Sequence, residues 1–545
     1  MQFNYSYSSS SAVHGQGNQT QMSFAPDLTR QPTFFRGELR QHLAFREAMS
    51  ALHHVVVSDL RFKPQDKTEY KAWAAQQLEI DWQLIATQKQ AVSDKINALR
   101  DELTVIQQSR SSRWRDFYTA QQRYFNYLYQ KDYDAWFVLD PVITVHPDEI
   151  FFECFSQDES SYGKLSASYE VFQQVDEFAC GTTNIDYSAT LYNEFQKIRD
   201  YKTTKFEVDP SGFEVQTTGN IAYKEVKIDL PDSWVRGFLQ VSSAMSLPAI
   251  QFDLHPMDIY NICFILRRHK EKKGPRALRY ELTPGEPVRA ILEPWDKEIV
   301  CDRSIYTGPK PETVRVWGRR RLLILERLIP MARKFTVHLL GTGLPSFYLA
   351  DLNDLTFTLG LSGWTANDWA AAGNFDLLAP RADVDDFTKR QVFGALQAAK
   401  FASPDTLAKQ LKLDRSTILG ALGAYTQAGR AIFDLNKQVY RLRELSRDPL
   451  PMSKLRFVNE REQKARRFLD DNTLRVQNSS VDQNGTRLLQ GSITDENQTY
   501  APTVAVDRDE RIVKAECSCN WHQHNTLFKG PCEHILALRM AANRK

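Results

Sequence analysis

Near the C-terminus, the stretch AECSCNWHQHNTLFKGPCEHILALRM at positions 515 to 540 holds three of the chain's seven cysteines and three of its eleven histidines. Cys517 and Cys519 stand one residue apart, as do Cys532 and His534. A C-x-C pair converges on one ion from a tight turn or a strand end. The C-x-H pair sits where a helix begins, because apolar residues recur at 535, 536, 538 and 540. Three thiolates and one imidazole complete a tetrahedral shell for Zn²⁺ and leave no ligand position for a substrate, so the ion expected here is structural.

The surrounding composition favours a metal over a disulfide. The opening residues MQFNYSYSSSSAVHGQGNQTQ have neither a basic start nor an apolar stretch, so no secretory signal is expected and the chain is assigned to the cytoplasm. Disulfides seldom persist in that reducing compartment. Cys154, Cys180, Cys263 and Cys301 lie in apolar company such as IFFECF and YNICFIL and are expected to be inert buried thiols. No run of about 18 apolar residues occurs, so no membrane span is expected. A net charge of +2 over 545 residues gives no global sign of nucleic-acid binding.

The pattern C-x-C-x12-C-x-H resembles the SWIM zinc finger, whose signature follows a strand pair and ends in a helix. The preceding TYAPTVAVDRDERIVKAECSC reads as two strands, 499–506 and 510–517, joined by the turn DRDE. The resemblance covers about fifty residues and implies one structural Zn²⁺ on Cys517, Cys519, Cys532 and His534. His522 and His524, in NWHQHN, are competing ligands placed in the variable insert. Binding and folding are coupled in such modules, so removing the ion is expected to unfold this end of the chain.

A second signal lies at 385–445. DDFTKRQVFGALQAAK reads as a helix with Phe387, Val392, Phe393 and Leu396 on one side. SPDTLAKQLKL follows, with Ser403 as N-cap and Pro404 at the first helical position. RSTILGALGAYTQAG is then a third helix stopped by Gly429, and RAIFDLNKQVYRL reads as two short strands. This order resembles winged helix-turn-helix domains. The resemblance implies a reading helix that offers Arg415, Ser416 and Thr417 and a wing that offers Arg430, Lys437, Arg441 and Arg443, for DNA or for a protein partner.

Elsewhere, residues 36–61 read as an amphipathic helix and 66–108, free of Pro and Gly, as one long helix or coiled-coil arm. An aromatic-rich helix is expected over 113–136. From about 135 the pattern turns to strands, with helices at DSWVRGFLQVSSAM and PMDIYNICFILRRHK. Two basic runs, Arg267 to Arg279 and Arg315 to Arg327, are candidate phosphate-binding surfaces. No Lys or Arg occurs from Phe335 to Pro380, which reads as a buried sheet layer. SKLRFVNEREQKARRFLDDN is a charged helix, and LRVQNSSVDQNGTRLLQGSI a hairpin around DQNG. No phosphate-binding loop, H-E-x-x-H or G-x-S-x-G is present, so a non-enzymatic role is expected.

These signals predict an α+β multidomain chain. Its parts are a disordered tail (1–30), a helical region with the long helix (31–133), a β-rich central domain (134–380), a winged helix (381–447), a helix plus hairpin (448–498) and a ββα finger (499–545). The whole resembles large bacterial SWIM zinc-finger proteins. That resemblance implies an adaptor working beside a MoxR-type AAA ATPase and a VWA-domain protein; DNA binding is the alternative.

Overall fold

The strand Glu149–Phe155 is buried along both faces, and each face meets a different helix. In the computed structural model, residues 12–16, 19–24, 33–58, 141–184, 192, 195–196, 198–201, 203–208, 232–270, 276–363, 369, 375–379, 384–445, 460–482, 485–495, 498–509 and 511–542 are described. The chain divides into two units, residues 60–138 and the remainder, and every described residue belongs to the second. The helices expected over 66–108 and 113–136 lie outside the described residues. The described helices are α1 (His42–Val56), α2 (Asp232–Met245), α3 (Pro256–Arg268), α4 (Asp386–Ala399), α5 (Pro404–Leu411), α6 (Arg415–Gln427), α7 (Glu460–Asp470), α8 (Asn520–Asn525) and α9 (Glu533–Ala542).

The central element is an eight-stranded antiparallel sheet. Its strands run in the order Ile250–Leu254, Lys334–Leu339, Ser346–Asp351, Leu355–Leu361, Ser161–Ser168, Glu149–Phe155, Val142–Val145, Gly181–Asn184. Ile150, Phe152 and Cys154 join Phe45, Met49 and Leu52 of α1 in one core, with the Phe45 and Phe152 rings 6.4 Å apart. Phe155 points the other way, 4.7 Å from Phe238 and 5.6 Å from Trp234 of α2. Each such side chain, fully buried, stabilises by roughly 1.5–3 kcal/mol. Burial on both faces explains why IFFECF reads as an unbroken apolar run rather than an alternation. The strands from Phe335 to Leu361 are largely buried, as the lack of cations over that stretch suggests.

Two expectations for the N-terminal region are corrected. Residues 12–16 and 19–24, expected within a disordered tail, are strands: Ala12–Gln16 pairs antiparallel with Gln19–Phe24, which runs parallel to Thr203–Val208. Main-chain hydrogen bonding between strands is what a polar sequence can still form. The helix expected from residue 36 begins only at His42, because Phe34–Leu39 is a strand. Its Phe35 and Leu39 are buried at even spacing, a period-two signal that the helical reading of LRQHLAF overrode.

A four-stranded sheet, in the order Lys297–Ile305, Pro287–Leu292, Leu278–Leu282, Glu312–Val316, packs beside α3. Here most of the described basic side chains of the two runs act inside the fold. Arg319 stacks over Trp295 at 4.9 Å and donates to the carbonyls of Ala277 and Glu293. Arg320 donates to the carbonyls of Leu266 and His269 at 3.0 and 3.2 Å, closing the C-terminal end of α3. Arg321 pairs with Asp158 at 3.1 Å, Arg315 with Glu293 at 3.0 Å, and Arg327 with Glu47 at 3.5 Å. Arg267 pairs with Glu326 and Arg279 with Glu281.

Candidate zinc centre and the adjoining helix–hairpin unit

The finger begins with Thr503–Val506 and Ile512–Glu516, paired antiparallel; the first starts at 503 rather than 499 and the second spans 512–516 rather than 510–517. Cys517 and Cys519 follow the second strand, and Cys532 and His534 bracket the start of α9. Their ligand atoms all lie within 4.8 Å of one another, and all four residues are buried. Cys517 Sγ and His534 Nδ1 are 3.8 Å apart, close to the roughly 3.6 Å edge that tetrahedral zinc imposes between sulfur and nitrogen. His522 and His524 stand outside the cluster: the backbone N–H of His522 donates to Cys519 Sγ at 3.4 Å, and His524 is exposed beside the Asn520 carbonyl.

The chemistry of the donor set fits a cation. Hydrogen bonds from the Cys517 and Cys532 thiols hold Cys519 far below the ordinary thiol range. Its hydrogen bond with Cys519 pushes Cys517 up to about 11, and the same crowding drives Cys532 higher still. One thiolate is therefore favoured and a second opposed, because nothing in the cluster offsets the charge. Zn²⁺ would supply that charge and cross-link the two ends of the finger, and Cys517, Cys519, Cys532 and His534 are the residues that would hold it.

The finger is not a separate bead on the chain. Cys517, Cys519, Cys532, Ile535 and Leu538 share one apolar core with Trp234, Phe238 and Phe347. Arg539 donates to the carbonyls of Leu377 and Ala379 at 2.8 and 2.7 Å. Arg461 of α7 donates to the carbonyls of Pro531 (2.9 Å) and Lys529 (3.1 Å) and lies 4.3 Å over Trp521, fixing the loop that presents Cys532. Gly343, at φ +78°, leaves room for the Phe528 ring, which a Cβ would approach to 2.7 Å.

Residues 384–445 form helix, short strand, helix, helix and hairpin, with the three strands ordered Phe401–Ala402, Val439–Leu442, Ala431–Asp434. Local chemistry sets the boundaries. Asp385 accepts from the N–H groups of Phe387 and Thr388, both at 2.9 Å. Ser403 accepts from Thr406 at 3.1 Å, with Pro404 next to it. Gly429, at φ +70°, ends α6.

The structure places the candidate contact residues of this unit against the rest of the chain. In α6, Ile418, Leu419, Gly420, Ala421, Leu422 and Thr426 are buried and the remaining residues are half-buried, with the Arg415 side chain 41% exposed. Arg415 pairs with Asp405 and, at 2.9 Å, with Asp509 of the finger's strand turn; Ser416 and Thr417 are half-buried beside it. Lys437 lies 2.8 Å from Asp148 and 3.0 Å from Glu149. Arg441 is fully buried: its Nε meets Asp434 at 2.7 Å, and its two Nη atoms meet the two oxygens of Asp148 at 2.8 and 3.0 Å. Arg443 pairs with Glu153 at 2.9 Å, and Arg430 lies 5.6 Å over Phe393. Burial raises the Asp148 carboxyl, but hydrogen bonds from Arg441 and Lys437 outweigh it and hold the group at about 2.

The residues that receive the hairpin, Asp148, Glu149 and Glu153, carry no sign in sequence except their place. They are the carboxylates in DEIFFECF, where an apolar strand would otherwise tolerate none.

The SWIM zinc finger family model matches residues 503–542. With the four-residue cluster, that segment is a SWIM finger holding one structural Zn²⁺. No curated protein matches the chain. Among solved structures it is similar to proliferating cellular nuclear antigen from Entamoeba histolytica, at 9% identity and a TM-score of 0.32, over 60% of this chain and 98% of that one. Among the described residues no helix is long and apolar enough to cross a membrane.

Proposed function

We propose that this chain is a zinc-stabilised, non-enzymatic scaffold of the cytoplasm that recognises protein partners. The observation that carries the reading is the pairing of Lys437, Arg441 and Arg443 to carboxylates at the large sheet, together with the ion pair that ties Arg415 of the half-buried α6 to Asp509. A helix that reads a groove must present side chains to it, and a wing that grips phosphates needs unpaired cations. Here both elements brace the zinc finger against the sheet, as they would in a platform. Their order of helix, strand, helix, helix and hairpin supports reading 384–445 as a winged helix put to this structural use. The resemblance to large bacterial SWIM proteins makes a MoxR-type AAA ATPase and a VWA-domain protein the first partners to try.

DNA binding is the second reading. The observation in its favour is that the unit has the winged-helix element order and lies directly beside the finger, joined to it through Arg415 and Asp509. The deciding experiment is duplex binding by the zinc-loaded chain across a salt series, with an Arg415→Ala, Lys437→Ala, Arg441→Ala variant beside it. Under the scaffold reading, wild type shows no micromolar binding at about 100 mM salt. Tight, salt-sensitive binding that the variant loses, with the variant's circular dichroism intact, overturns it.

A further inference from the structure

The four zinc ligands lie within 517–534, but the surroundings of the one imidazole among them come largely from outside the matched segment. His534 is 2% exposed. Its Nδ1 faces the sulfurs, and its Nε2 is buried with no hydrogen-bond partner. Asp495 Oδ2, at the end of strand Arg487–Asp495, lies 3.8 Å from that Nε2. Lys464 of α7 reaches the same carboxylate oxygen at 2.6 Å and Glu533 at 3.6 Å. The imidazole ring stacks on Tyr500 at 4.3 Å and on Phe468 at 5.4 Å.

A histidine that binds metal through Nδ1 keeps its proton on Nε2, and a buried N–H left without an acceptor is costly. The carboxylate positioned to take it is Asp495. Three thiolates with one divalent ion leave a net negative charge, so a bare carboxylate beside them would be repelled; the Lys464 ammonium offsets that repulsion. The same ammonium argues against reading Asp495, Glu533 and His534 as a second cation site, although their oxygens and nitrogen are close enough for one.

We propose that Asp495 is a positioning residue that accepts the Nε2–H of zinc-bound His534, and that Lys464 holds it in place. The metal-binding unit is then residues 460–542, larger than the matched 503–542, and α7 is part of it. Carboxylates in this position orient the ligand imidazole and raise its basicity, and losing one typically lowers metal affinity 10–100-fold.

The test uses the full-length chain. Zinc stoichiometry and chelator-competition affinity are measured for wild type, Asp495→Ala, Asp495→Asn and Lys464→Met, and the Co²⁺-substituted visible spectrum reports the ligand set. The expected result is one metal per chain throughout, with the thiolate-to-Co²⁺ band intact. Affinity falls about 10–100-fold in Asp495→Ala and less in Lys464→Met, and Asp495→Asn, which keeps an acceptor oxygen, recovers most of it. Unchanged affinity in Asp495→Ala, or two zinc ions per wild-type chain, overturns the proposal. If Asp495→Ala does not fold, ¹⁵N-histidine NMR of zinc-loaded wild type decides. A slowly exchanging Nε2 proton on His534 supports the proposal, and a fast-exchanging or absent one overturns it.

Discussion

Arg443, in the segment just after the last hairpin strand, and Glu153, in the middle of the large sheet, form an ion pair of 2.9 Å with neither side chain exposed to solvent. Removing one partner of such a pair strands the other charge, at a cost of about 3–5 kcal/mol, whereas replacing both with apolar groups of similar volume can be neutral. Arg443→Ala should therefore lower the stability measured by urea unfolding by that amount. Arg443→Met combined with Glu153→Leu should restore most of it. Equal losses in the single and double variants would mean that the pair does not anchor the hairpin.

Acid should loosen the same seam from its other end. His146 Nε2 donates to the Leu442 carbonyl at 2.7 Å, and burial, then Arg441, holds its pKa down at about 3. The folded state keeps this histidine neutral, while the unfolded chain takes up a proton below about 6.5. Stability is thus unaffected above that pH and falls as pH drops from 6.5 towards 3, at a slope approaching about 1.4 kcal/mol per unit. His53 and His338, each held down to about 4 chiefly by burial, act in the same direction. Urea midpoints at pH 7, 6 and 5 should fall in wild type, with a shallower fall in His146→Gln. Parallel slopes would show that His146 is not the titrating group.

Zinc removal should reach beyond the finger. The core that contains Cys517 and Cys532 also contains Trp234 and Phe238, and the binding energy of a structural zinc is folding energy. In a Trp521→Phe background, which removes the finger's own tryptophan, a strong chelator, or Cys532→Ser, should abolish the single bound ion, lower the melting temperature and shift tryptophan emission to the red, with the chelated protein recovering on adding zinc back. A finger that melted alone would leave the emission of Trp234 and Trp369 in place.

Gly343→Ala tests how the finger rests on the sheet loop. The position has φ +78°, and a Cβ would sit 2.7 Å from the Phe528 ring. Strain of about 1–2 kcal/mol is expected from the backbone alone, with the displaced ring adding to it. Thermal unfolding of zinc-loaded protein should show the loss, and Phe528→Leu in the same chain should recover part of it.

The finger was legible in sequence because metal chemistry demands particular residue types at particular spacings, and Cys517, Cys519, Cys532 and His534 do converge. The helices of the 384–445 unit were legible for a similar local reason, since Asp385, Ser403, Pro404 and Gly429 mark their ends. What those helices face was not. The same cations suit a phosphate or a carboxylate, and only the fold brings Asp148 and Glu153, nearly three hundred residues upstream, against Arg441 and Arg443. Asp495 escaped notice because its relation to His534 depends on where a hairpin ends. The strand Phe34–Leu39 was missed because its short alternation runs directly into a longer helical pattern.

The apolar core that holds Trp234, Phe238 and Phe347 also holds Ile535 and Leu538, which the ribosome adds about three hundred residues after the helix carrying the first two. At synthesis rates of roughly 5–20 residues per second, that helix waits about 15–60 s for them. Over that interval the apolar surface lacks part of its packing, and a product cut short before Cys532 never gains it. Zinc binding, which needs His534 as well as the cysteines, therefore comes only after most of that core has been synthesised.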